Sequence, residues 1–273
     1  MITSLKSSST KYVAAACLLF ASGASFAQRG FDFGLKGTYQ ASAMLNQTDQ
    51  DAGPELDFKN KMGFGAGASI GYTFTKHIGA EIGILYSKQG WSYTGESGRI
   101  ATSTNGILII CDEFQGLAFY NTIPFSSKYT ADISLTYLKI PLLFRYTGNS
   151  ANRTYFSGFI GPQLNMLSSA VTKVNGTTTS FAAYGIKNED MYKKQTLSGV
   201  LGLGFGVRLP ANLTVALHLR LDYGLNDAED KSKNGTMLGI NYNMYDPKRA
   251  TTNNATAGLM LSVNYKLKMG KKK

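Results

Sequence analysis

NLTVALHLRLDYGL, residues Asn212–Leu225, alternates without a break. Leu213, Val215, Leu217, Leu219, Leu221, Tyr223 and Leu225 fall on one side of an extended chain; Asn212, Thr214, Ala216, His218, Arg220, Asp222 and Gly224 fall on the other. Successive side chains of a strand point to opposite faces, so this is a strand with one apolar face and one polar, partly charged face. Ala257–Leu267 repeats the pattern, with Leu259, Leu261, Val263, Tyr265 and Leu267 opposing Gly258, Met260, Ser262, Asn264 and Lys266.

Six further segments follow the same period: Phe31–Leu45, Met62–Phe74, His77–Trp91, Ile133–Tyr146, Tyr155–Ala170 and Leu197–Leu209. Their polar faces carry small residues and a few charges of both signs, as in Gly63, Gly65, Gly67, Ser69 and Gly71 of the second strand. The connections alternate in length. Thr75-Lys76, 147–154 and Pro210-Ala211 are short, whereas 46–61, 92–132, 171–196 and 226–256 are long. A soluble sandwich also alternates. Short turns at one end and long loops at the other are instead the pattern of an outer-membrane barrel. In lipid the sheet must close, because an open edge strands backbone groups without partners. The expectation is an all-β, eight-stranded, antiparallel, up-and-down transmembrane barrel with both termini at the short-turn end. Tyr72, Tyr86, Tyr146, Tyr155, Tyr223 and Tyr265 lie near strand ends and suit interfacial aromatic girdles.

Composition agrees. Charged residues make up 16% of 273 and aromatics 12%, with 30 Gly, 16 Tyr and 15 Phe. Typical soluble domains are roughly 25% charged. The mean hydropathy is −0.12, and no stretch beyond the N-terminal segment approaches the ~18 apolar residues of a spanning helix. The apolar content also argues against disorder.

Met1–Ala27 reads as a secretory signal: Lys6 and Lys11, the apolar run Tyr12–Ala21, then Ser25-Phe26-Ala27 before a cut at Gln28. The barrel is then 28–273. Loss of Cys17 with the signal leaves Cys111 alone, which excludes an intramolecular disulfide and a cysteine metal cluster. The formal charge of +11 does not point to nucleic acid in an exported chain. The basic tail Lys266, Lys268, Lys271, Lys272 and Lys273 reads as a solvated end near anionic lipid heads.

Several stretches resemble one family. Phe33-Gly34-Leu35-Lys36-Gly37, Glu81 with Leu85-Tyr86-Ser87-Lys88-Gln89-Gly90, Tyr137-Leu138-Lys139-Ile140-Pro141-Leu142-Leu143, Gly161-Pro162 and Gly202-Leu203-Gly204 resemble, in order and spacing, the PorT-like outer-membrane β-barrel proteins of Bacteroidetes. The resemblance spans about Phe31 to Lys268 and departs in the long second loop and the lysine-rich end. It implies an outer-membrane barrel and, for most members, no defined activity.

An eight-stranded barrel is just wide enough for side chains to fill. The inward charges expected are Asp32, Lys36, Glu81, Lys139, Arg145, Arg208, His218, Arg220, Asp222 and Lys266. Buried charges require partners. Glu81 is therefore expected to pair with Arg145 or Lys139, and Asp222 with Arg220 to join a second network. This is read as a structural plug of the lumen that sets strand register; the competing reading is an ion pathway.

Other motifs carry less. The glycines of Gly202-Leu203-Gly204-Phe205-Gly206 read as room for large side chains across a narrow lumen; no following helix supports a nucleotide loop. His218 has no serine motif beside it in sequence, so no hydrolase is expected. Asp112-Glu113, Asp227, Glu229 and Asp230 lack a calcium-loop spacing and read as solvated loop charge. Ile107–Cys111 reads as a strand extending the barrel wall, with a partner surface as the alternative. No catalytic residue, cofactor or metal is expected. The expected partners are outer-membrane lipids, the barrel-assembly machinery, and surface or secretion partners met through the loops, for a monomer of structural or interaction role. A subunit of a secretion assembly and a narrow solute channel are the alternatives.

Overall fold

The computed structural model describes residues 30–47, 50, 56–96, 100–102, 108–112, 116–119, 128–148, 153–174, 177–179, 187–237, 240–243 and 249–267. The expected signal segment, Glu113 and the terminal lysines from Lys268 onward lie outside them. The strands are β1 (Gly30–Leu45), β2 (Leu56–Thr73), β3 (Ile78–Glu96), β4 (Ile100–Thr102), β5 (Leu108–Asp112), β6 (Gly116–Phe119), β7 (Lys128–Thr147), β8 (Thr154–Val174), β9 (Thr177–Thr179), β10 (Gln195–Arg208), β11 (Leu213–Gly224), β12 (Asn234–Met237), β13 (Ile240–Asn243) and β14 (Asn253–Lys266).

Eight of them close a barrel. The order β10-β11-β14-β1-β2-β3-β7-β8 is completed by the pairing of β8 with β10, and every pair is antiparallel. Sequence neighbours pair throughout, and β14 closes on β1 with Asp32 opposite Lys266. β1 enters and β14 leaves at the end that holds the three short turns.

The two faces sort as lipid requires. Leu35 is 68% exposed on the outside, whereas Lys36 beside it is 6% exposed inside. Phe205 at 72% and Arg220 at 4% repeat the contrast. A wall of Phe33, Leu35, Ile70, Ile82, Leu203, Leu217 and Leu261 facing outward would be costly in water and suits a surround of acyl chains. Near the short turns Phe31, Tyr72 and Phe74 touch ring to ring, at 5.0 and 5.4 Å, as an interfacial belt does. Tyr155 leaves the expected girdle: it points inward, because Gly206 opposite offers the space for its ring and Arg208 covers it at 4.4 Å.

Four strands run further than their hydrophobic period suggests. β2 starts at Leu56, β3 ends at Glu96, β7 starts at Lys128 and β8 ends at Val174. Here the polarity of the wall inverts. Trp91, Tyr93, Ala131, Ile133 and Leu135 point inward and are buried, while Asp57, Lys59 and Asp132 point outward. The inversion is what a barrel with lipid around its lower part and water around its upper part requires, since each part must hide from its own solvent what that solvent rejects. A register shift at Thr136/Tyr137 in the β7–β8 pairing lies at the changeover. Ile107–Cys111 does not extend the wall as expected: its described part, β5, pairs with β4 and β6 in a separate three-stranded sheet.

Candidate functional site

The lumen is built in layers. At the short-turn mouth Arg145 on β7 donates to Asp32 on β1, Nη2 to Oδ2 at 2.6 Å and Nη1 to Oδ1 at 2.8 Å, and reaches Glu81 on β3 through Nη1 at 3.1 Å. Glu81 also takes an ion pair from Lys36 on β1. The sequence placed Glu81 near Arg145 from their heights on neighbouring strands. The Lys36 contact joins two strands separated by β2, and only closure and curvature bring them together. Arg208 and Lys266 are half-buried at the same mouth.

A second cluster fills the middle. Asp222 on β11 accepts from Lys139 Nζ at 3.0 Å and from Arg220 Nε at 2.8 Å. Gln163 and Asn165 on β8 extend it: Gln163 Nε2 donates to Asn165 Oδ1 at 2.7 Å, and Asn165 Nδ2 donates to Ser198 Oγ at 2.6 Å. Each charge of this cluster is fully desolvated, so its partners are what make burial tolerable. The polar packing is not uniform. Leu143, Phe159, Val200 and Met260 form an apolar cluster inside the lumen, which the expected plug of inward charges does not include.

His218 lies between these clusters, and Ser157 Oγ sits 2.9 Å from its Nε2. A strand reading places no serine beside His218; the β8–β10–β11 pairing does. His218 Nδ1 has no partner, so no acid orients the ring. The adjoining cavity is about 50 Å³ and is lined by Lys36, Glu81, Arg145, Ser157 and His218. That is room for a few waters, not for an acyl substrate. Among the described residues the lumen holds six cations (Lys36, Lys139, Arg145, Arg208, Arg220, Lys266) against three carboxylates (Asp32, Glu81, Asp222).

The long-loop mouth is latched. Arg249 grips Glu229 with two nitrogens, Nε to Oε2 at 2.7 Å and Nη2 to Oε1 at 3.0 Å. Thr252 Oγ1 donates to Glu229 at 2.6 Å, and Asn46 Nδ2 donates to Thr252 Oγ1 at 2.6 Å. Backbone bonds tie the segments across the opening: Lys193 N to Ala228 O at 2.9 Å, Ala228 N to Thr252 O at 2.9 Å, and Asp230 N to Met191 O at 2.9 Å. Tyr192 packs beneath, edge-on to Trp91 at 6.0 Å. Burial lifts the Tyr192 phenol well above its usual range, with the Glu229 carboxylate adding to the effect. Glu229 is therefore not the solvated loop charge expected from sequence; it is 1% exposed. Asp227 is held by Lys231 at 2.8 Å. No spacing rule signals this latch, because Asn46 reaches Ala250 and Thr252 only once the barrel has closed.

Residues 20–230 match the model of the family described as outer membrane protein beta-barrel domain. The chain belongs to this family. Its members' setting, the bacterial outer membrane, accounts for the outward apolar wall and the closed sheet. No curated protein matches the sequence. Among solved structures it is similar to Neisserial surface protein A, at 11% identity and TM-score 0.41 over 86% of this chain and 97% of that one. It is also similar to Ail, the attachment invasion locus protein of Yersinia pestis, at 12% identity and TM-score 0.37 over 88% and 100%. The outer membrane protein OprG of Pseudomonas aeruginosa matches at 12% identity and TM-score 0.38 over 88% and 97%.

Proposed function

We propose that this outer-membrane barrel is a plugged, non-conducting and non-catalytic protein that acts as a structural or interaction element through its long loops. The observation that carries the reading is the filled lumen: the paired charges Arg145–Asp32, Lys139–Asp222 and Glu229–Arg249 stand at three levels, and buried apolar side chains such as Phe159, Trp91, Ile133 and Leu135 fill between them. A conducting pore needs water along its length, and charges paired side chain to side chain leave no continuous path. The long loops face outside the cell and β1 and β14 open to the periplasm. Met1–Ala27 is removed on export, and the chain is of the PorT-like kind found in Bacteroidetes, a reading supported by the ordered motifs from Phe33 to Gly204.

The test is single-channel recording of the protein in lipid bilayers, with Glu81→Ala alongside. The expected record is a flat baseline for the wild type. Discrete, reproducible openings that change with Glu81→Ala would make the buried charges an ion pathway and overturn the plug.

A further inference from the structure

On the outer wall formed by β2, β3, β7 and β8, a patch of lysines lies where the exposed apolar band stops. Lys88 points outward from β3 between Tyr86 below it and Gly90 above. It is exposed, has no carboxylate partner among the described residues, and its Nζ lies 5.6 Å over the ring of Phe64. Its neighbours Phe64, Met62 and Tyr86 are 54%, 52% and 43% exposed. An ammonium among lipid-facing rings must reach the headgroup level, so Lys88 marks that plane. Lys61 on β2 donates to Ser134 Oγ on β7 at 2.8 Å and stands 3.9 Å from Asp132. Gly90 of β3, between the two strands, has no side chain to obstruct that reach. Lys173 on β8 is exposed opposite Asp132 in the β7–β8 register.

Lys61, Lys88 and Ser134 stand on three successive strands of the wall, β2, β3 and β7. Asp132 flanks Lys61 on one side, and Lys88 stands on the other side of Gly90 from Trp91 without a carboxylate of its own among the described residues. Two ammonium groups and a hydroxyl at the edge of the apolar band complement a phosphate.

We infer that Lys61, Lys88 and Ser134 form a binding site for a phosphate-bearing lipid headgroup in the leaflet on the long-loop side. The inference rests on the outward orientation of the long loops argued above. Acyl chains lie against Phe64 and Met62 while the phosphate meets the two ammonium groups, so charge and apolar contact act on one molecule.

Full-length protein in mild detergent is titrated with diphosphoryl lipid A, and retained lipid is counted by native mass spectrometry. Folding of each variant is checked by heat-modifiable gel mobility. Lys61→Gln and Lys88→Gln are each expected to weaken retention roughly fivefold, and the pair more. Lys76→Gln at the short-turn end is expected to leave it unchanged. Fully dephosphorylated lipid A is expected to bind weakly, and inorganic phosphate at equal concentration not to compete. Retention unchanged in the double variant, equal binding of the dephosphorylated lipid, or competition by inorganic phosphate overturns the site. Retention governed by Lys76 and Arg153 instead overturns the orientation of the loops as well.

Discussion

The ring of Phe159 on β8 occupies the space that Gly202 on β10 leaves empty inside the barrel, and the two residues face each other in the β8–β10 register. A Cβ on Gly202 would overlap the ring. Tyr155 and Gly206 repeat the relationship four residues away. Glycine is needed here for close approach.

Gly202→Val is therefore expected to destabilise the barrel by about 1–3 kcal/mol through overpacking. Phe159→Ala in the same chain should recover part of that loss, because the two volumes exchange. Urea unfolding in lipid vesicles measures both. Full additivity of the two changes would show that the ring and the glycine do not share space.

In the middle layer, Asp222 accepts from two cations, Lys139 and Arg220. Asp222→Ala leaves both buried without their carboxylate, and removal of one partner from such a pair costs about 3–5 kcal/mol. The same unfolding measurement should show that loss. Lys139→Met together with Asp222→Ala should cost less than Asp222→Ala alone, since one orphaned charge goes with its partner.

The latch predicts a local effect. Arg249→Met orphans Glu229, which is buried under the loops. The segments 225–233 and 249–252 should then exchange amide hydrogens faster while the barrel strands keep their protection. Glu229→Gln with Arg249→Met should restore much of the protection. Uniform loss along every strand would make the latch part of barrel folding rather than a cover on its mouth.

What could be read in advance divides by range. The alternation of Asn212–Leu225 fixes the outward leucines because it is local, and the eight strands with their alternating connections follow from the same period. The inward charges were legible for the same reason, and so was Glu81 near Arg145. Lys36 meeting Glu81 across β2, and Ser157 meeting His218 across β10, depend on curvature and closure, which one strand's sequence does not carry. Ile133 and Leu135 obey period two as well, yet they point inward, in a stretch whose outward face carries Asp132. Alternation gives two faces but not which solvent each meets. Glu229 was misread because its partner Arg249 comes from the far end of the same long loop.

Tyr192 gives the latch a pH dependence with a definite sign. It lies outside the membrane-spanning strands, and burial together with Glu229 raises its phenol well above the ordinary value near 10.0. In an opened mouth the phenol ionises near that ordinary value; under the closed loops it stays protonated. A group whose proton is held more tightly in the closed form contributes stability that is complete below the open-state value and is lost as pH rises above it. Hydrogen exchange of the amides at 228–230 should therefore be flat up to about pH 10 after correction for intrinsic rates, and then show progressive opening. Tyr192→Phe keeps the ring against Trp91 and removes the proton, so it should abolish the alkaline opening that belongs to this residue. An unchanged alkaline profile in Tyr192→Phe would assign the opening to the loop lysines instead.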